Sequence, residues 1–138
     1  MRIAVVVLCG VFMFGVSTVH GSDWQKYNLI EYTKKTGEHV TQKEYYDKES
    51  IVRTKKGTIK VWTKANHDGD TEDTPYIYKT LMEIDCSERT MKILSLTRYY
   101  KNNKIEEDES LKGTVEEVEP DTNREKLFKT VCTYQRKK

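Results

Sequence analysis

From Trp24 onward, apolar and polar side chains alternate with period two, the pattern of strands that bury one face. The alternation predicts strands over 24–33, 39–47 and 51–54, separated by Lys34-Lys35-Thr36-Gly37 and by Asp47-Lys48-Glu49-Ser50. Lys55-Lys56-Gly57 then turns the chain into a clear strand over 58–64. Within it, Ile59, Val61 and Thr63 share one face and Lys60, Trp62 and Lys64 the other. Residues 66–75 read as a polar loop. Strands over 76–86 and 91–100 form a long hairpin across Ser87-Glu88-Arg89, and an acidic strand is expected over 105–111.

The period changes near the end. Pro120-Asp121-Thr122 is a helix start signal, and Leu127, Phe128, Val131 and Cys132 recur at helical spacing over 123–132. In the strand over 76–86 the even positions Tyr78, Met82, Ile84 and Cys86 are the more apolar set, so Cys86 points to the same core as Cys132. The expected architecture is α+β: a single antiparallel sheet of about six strands with one C-terminal helix packed on it.

The beginning of the chain follows a different rule. Met1-Arg2 precedes an apolar run over 3–16, and Val19 and Gly21 are small residues at a cleavage spacing. That is the pattern of a secretory signal peptide over 1–21. A membrane-spanning helix needs about 20 apolar residues, and this run is shorter. The expected organisation is a leader over 1–21, a domain over 22–132 and a basic tail over 133–138, with no transmembrane segment in the mature form.

Export changes the meaning of the cysteines. The chain has three, and the leader takes Cys9 with it, leaving Cys86 and Cys132. In an oxidising compartment such a pair reads as one disulfide, with two free thiols as the alternative. Closing that loop would stabilise a small domain by about 4 kcal/mol on the chain-entropy account.

Lys and Arg total 24 against 22 Asp and Glu, a net charge of +2, too balanced for bulk attraction to nucleic acid. Past the leader the histidines are His39 and His67, neither in a recognisable Ser/His/Asp arrangement. Asn66, Asp68 and Asp70 offer oxygen donors, but Thr71 and Ile77 stand where a helix-loop-helix calcium site wants glycine and glutamate. Asp47 and Ser50 fit a turn in which the carboxylate accepts backbone N–H bonds. No catalytic residue, metal ligand or cofactor is therefore expected. The candidate binding surface is Lys60, Trp62 and Lys64, a tryptophan between two lysines on the more polar face of a strand. The tail residues Arg136, Lys137 and Lys138 join it as a basic patch toward an anionic partner. Tyr45, Tyr46, Tyr76, Tyr78, Tyr99 and Tyr100 are further contact candidates, some of which must be core.

Several of these residues fall into an ordered set: Trp24, Tyr45-Tyr46-Asp47 before Ser50-Ile51, Val61-Trp62 with Lys64, Glu83-Ile84-Asp85-Cys86, Arg89, Tyr99, and Val131-Cys132. In that order and spacing the chain resembles the bacterial surface-adhesin protein E family over roughly 24–132. The resemblance implies a disulfide-held sheet with a C-terminal helix, a place at the surface or in the periplasm of a Gram-negative bacterium, and adhesion to host extracellular-matrix components. The chain departs from the family in its Pro120-Asp121 turn and in lacking a lipidation site. The leading expectation is an exported, non-enzymatic, adhesin-like protein that binds protein or glycan partners through its sheet and loops. The alternative is a periplasmic structural or regulatory module, such as an inhibitor or partner of an envelope enzyme.

Overall fold

The computed structural model describes residues 21–68 and 74–134. Eight strands form one antiparallel sheet: β1 (Trp24–Thr33), β2 (His39–Asp47), β3 (Val52–Arg53), β4 (Ile59–His67), β5 (Pro75–Asp85), β6 (Thr90–Tyr100), β7 (Ile105–Glu107) and β8 (Val115–Glu117). Among the described residues one α-helix, α1 (Asn123–Cys132), follows the strands. The main path runs β1-β2-β4-β5-β6-β7; β3 pairs with β4 and β8 with β6. The sheet is thus a meander in which two short strands extend its outer rows.

The alternation in β4 sets the two faces. Ile59 and Val61 are fully buried and Thr63 nearly so, whereas Lys60 is exposed. Ile59 lies opposite Ile84 and Val61 opposite Met82, so β5 adds to the same face. In β6 the register with β5 shifts between Leu81 and Met82. That bulge lets both Met91 and Leu96 turn inward although their numbers differ in parity. Leu127, Phe128 and Val131 of α1 cover this face and form one core with Ile51, Ile59, Val61, Ile84, Met91 and Val118. Each such aliphatic side chain contributes about 1.5–3 kcal/mol by leaving water.

Cys86, just past β5, is bonded to Cys132 at the end of α1, with Cα atoms 5.9 Å apart. The helix start is held as firmly. Thr122 caps it by accepting the Glu125 N–H at 3.2 Å. The Glu125 carboxylate accepts from the Asp121 N–H (3.0 Å) and pairs with Lys129 and with Arg89 of the β5–β6 turn, each at 3.2 Å. Arg89 also donates to the Val118 carbonyl and stacks over Phe128. These contacts hold the Glu125 carboxyl below its ordinary value, the Asp121 N–H most of all.

Three boundaries differ from the sequence expectation. The expected polar loop over 66–75 is shorter, because Gln42, Lys43 and Glu44 of β2 pair with 65–67 and carry β4 through to His67. The acidic strand expected over 105–111 stops at Glu107. Asp108 accepts the Ser110 N–H at 2.9 Å, starting a 3-10 turn over Glu109–Leu111. The short β8 was not anticipated, since three residues after a left-handed Gly113 (φ 83°) carry too little alternation to register. No helix among the described residues is long and apolar enough to cross a membrane.

Candidate functional site

Among the described residues no helix or second sheet lies over the sheet face opposite α1. Its centre is organised at the break between β2 and β3, which leaves Val61 and Trp62 of β4 without a strand partner on that side, β5 pairing them on the other. Asp47 and Ser50 fill the break. Asp47 Oδ1 accepts the Glu49 N–H at 3.1 Å, closing a 3-10 turn over Lys48–Ser50. The Ser50 hydroxyl donates to the Asp47 carbonyl (2.7 Å) and accepts the Trp62 N–H (2.9 Å). That hydroxyl stands in for the missing strand and fixes Trp62 in the sheet.

The same carboxylate ties down the beginning of β1. Asp23 N–H donates to Asp47 Oδ1 at 2.8 Å, and the Asp23 carbonyl accepts the Lys48 N–H at 2.9 Å. Trp24 is thereby held in register with Asp47. Across the sheet, Tyr45, Lys64, Lys79 and Thr97 stand in one row by strand register. Trp62 and Leu81 occupy the next row, and Tyr99 lies beyond Thr97.

Together these residues make a cavity of about 260 Å³ lined by Ser22, Trp24, Asp47, Trp62, Lys79, Thr97 and Tyr99. The Lys64 ammonium lies 4.4 Å from the centre of the Trp24 ring and 5.1 Å from that of Tyr45. Lys79 sits 5.4 Å from the Tyr99 ring centre. Such contacts contribute about 0.5–1 kcal/mol each where exposed. Desolvation lowers the Lys64 pKa, the charge of Lys79 lowers it further, and Asp47 partly opposes both. Lysines directly opposite one another on neighbouring strands repel. Among the described residues no carboxylate forms an ion pair with either ammonium.

Trp62 lines the cavity and Lys64 stands beside it. Lys60 lies one row away between Val52 and Glu83, exposed and outside the lining. Arg136, Lys137 and Lys138 lie outside the described residues, as do residues 1–20 of the expected leader and 69–73 of the polar loop. The tyrosines divide: Tyr99 lines the cavity, Tyr45 meets Lys64, and Tyr46 packs on the core. Trp24, Lys79 and Thr97 were not singled out as surface residues. Parity could have found Lys79, because the alternation that turns Ile84 inward turns Lys79 outward.

The two cysteines are joined, so neither offers a thiolate. His39 hydrogen-bonds Thr33 at an exposed corner, and His67 rests edge-on against Tyr78. Among the described residues no three His, Cys, Asp or Glu side chains converge as metal ligands.

A disulfide-stapled sheet with one face covered by a helix and the other, among the described residues, aromatic and cationic defines a small sheet-plus-helix domain. The chain belongs to the surface-adhesin protein E family, whose model matches residues 31–133. No curated protein and no solved structure matches it.

Proposed function

We propose that this protein is an exported, adhesin-like binding protein that engages protein or glycan partners, host extracellular-matrix components among them, through the open face of its sheet. The observation that carries this reading is the cavity between Trp24 and Trp62, with Lys64 and Lys79 beside it in no ion pair among the described residues. Family membership points the same way, since the matched family is one of surface adhesins. The apolar run over 3–16 supports export, and the disulfide suits an oxidising compartment. Binding, not turnover, is the activity.

Two measurements test the reading together. Protease added to intact cells should degrade the protein, and immobilised matrix proteins should retain it. Trp62→Ala should lower that retention by about tenfold, the usual scale for a buried aromatic contact. Release by osmotic shock alone, with no degradation on intact cells, would place the protein in the periplasm and overturn the adhesin reading. Undiminished retention by Trp62→Ala would remove the open face as the contact surface.

A further inference from the structure

The open-face cavity makes three separate chemical demands, and they narrow its ligand. The first is for an anion. Lys64 and Lys79 face each other across β4 and β5, and neither forms an ion pair among the described residues. The second is for a hydroxyl. Asp47 is 6% exposed, and both of its side-chain hydrogen bonds fall on Oδ1, from the N–H groups of Asp23 and Glu49. Its Oδ2 has no hydrogen-bond partner among the described residues, and Thr97 adds a hydroxyl to the same lining. The third is for flat apolar surface, offered by the rings of Trp24, Trp62 and Tyr99.

An acidic peptide satisfies the lysines, and its backbone N–H groups can serve Asp47, but it offers no C–H ring face to Trp24, Trp62 and Tyr99. A neutral sugar supplies hydroxyls and C–H faces but leaves both ammonium groups uncompensated. One class of molecule carries an anion, hydroxyl donors and a C–H face on a single ring. The volume agrees: about 260 Å³ falls just below the roughly 300–1,000 Å³ of pockets that take drug-sized ligands, which is room for one ring.

We propose that this cavity binds a single pyranose ring bearing an anionic substituent, with Lys64 and Lys79 at the anion. Trp24, Trp62 and Tyr99 lie along the ring's C–H faces, and Asp47 and Thr97 meet its hydroxyls. The inference rests on the reading of the open face as the binding surface and specifies what that face recognises. A bound anion relieves the repulsion between the two lysines, and charge-assisted hydrogen bonds are the stronger kind. Affinity should therefore fall as salt rises.

The chain's two tryptophans, Trp24 and Trp62, both line the cavity, so intrinsic tryptophan fluorescence reports on this site alone. The disulfide-bonded protein is titrated with glucuronate, sialic acid, N-acetylglucosamine 6-sulfate, galactose and a glutamate-rich peptide. A saturable change with one or more acidic sugars is expected at about millimolar concentration, the scale of a single-ring contact, with none from galactose. Which acidic sugar responds separates carboxylate from sulfate sources. Lys64→Gln and Lys79→Gln should each weaken that response by about tenfold while leaving the thermal unfolding midpoint near that of the parent. An equal response to galactose, a stronger response to the peptide, or an undiminished response in both lysine variants would overturn the proposal. No response to any sugar, with matrix retention still lost in Trp62→Ala, overturns this inference and leaves the proposed function standing. No response to any sugar, with matrix retention undiminished in Trp62→Ala, overturns both.

Discussion

Beneath α1, the charged and polar groups at the rim of the core end on partners. Lys126 donates to Asn28 (2.8 Å), Asn28 to Glu44 (2.8 Å), and Gln42 to the other Glu44 oxygen (2.7 Å). Burial, and then the Glu44 carboxylate it hydrogen-bonds, push the Tyr27 hydroxyl well above the ordinary tyrosine range. On the opposite face, Lys64 and Lys79 confront each other beside aromatic rings, with no ion pair among the described residues. The covered face must satisfy its polar groups, because a buried orphan costs about 1–3 kcal/mol. The open face can leave cations unanswered because water still reaches them. The fold keeps the ring contacts of these lysines but sets no carboxylate in ion-pair distance of them among the described residues. With the open face as the recognition surface proposed above, stability and recognition fall on the two sides of one sheet, and each side can be broken without the other.

The largest effect belongs to the covered side. Replacing Cys86 and Cys132 together by alanine removes the link between the β5–β6 turn and the end of α1. The expected loss is about 2–5 kcal/mol, a major part of the stability of a domain this small. Chemical denaturation with and without reductant measures it. The parent in reductant should approach the double variant, and equal midpoints in all three samples would show that the bond contributes nothing.

Ser50→Ala tests the hinge between the sides. It removes the acceptor of the Trp62 N–H and the hydroxyl that closes the Asp47 turn. A loss of about 1–2 kcal/mol is expected, with a change in tryptophan emission because Trp62 loses its anchor. Destabilisation with unchanged emission would mean that the serine serves the turn and not the site.

How much of this contrast the chain discloses in advance depends on distance along it. The faces of β4 follow from local alternation, and Ile59, Val61 and Thr63 are buried as that pattern requires. The bounds of α1 follow from Thr122 and the spacing of its apolar residues, and the disulfide from the even cysteine count that remains once the expected leader is set aside. The site is less legible because it depends on register. Lys79 becomes the neighbour of Lys64 only through pairing of β4 with β5 across a connection whose length polar composition overstated. Trp24 reaches the cavity through the tie from Asp23 to Asp47, 24 residues apart. Neither relation leaves a mark in a window of neighbouring residues.

The acid limb of stability separates the faces again. Glu125 titrates below its ordinary value because the Asp121 N–H, Lys129 and Arg89 all favour its charged form. A carboxylate depressed in the folded state contributes stability that is present above the ordinary value of about 4.5 and lost as pH falls through the lowered one. Glu125→Gln should therefore be less stable than the parent at pH 7, and the gap should close as pH falls below about 4.5. Denaturation midpoints at several pH values test this, and a gap independent of pH would assign the loss to packing alone.

The smallest effect has the opposite sign. Lys79→Gln removes one of two opposed ammonium groups and keeps a side chain of similar length. The charge of Lys79 is one cause of the lowered Lys64 pKa, so its removal relieves a penalty on the folded state. A lysine whose folded value lies below its ordinary one is penalised while charged. The penalty is present at neutral pH and disappears above the ordinary value near 10.5. The variant should match or exceed the parent by a few tenths of a kcal/mol at pH 7 in low salt, and the difference should shrink as salt screens the pair. Loss of binding in the same variant would show stability given up for recognition, a trade found where a site needs strained charges. A clear loss of stability in Lys79→Gln would instead mean that the open face holds the fold together, and the contrast between the two sides would fail.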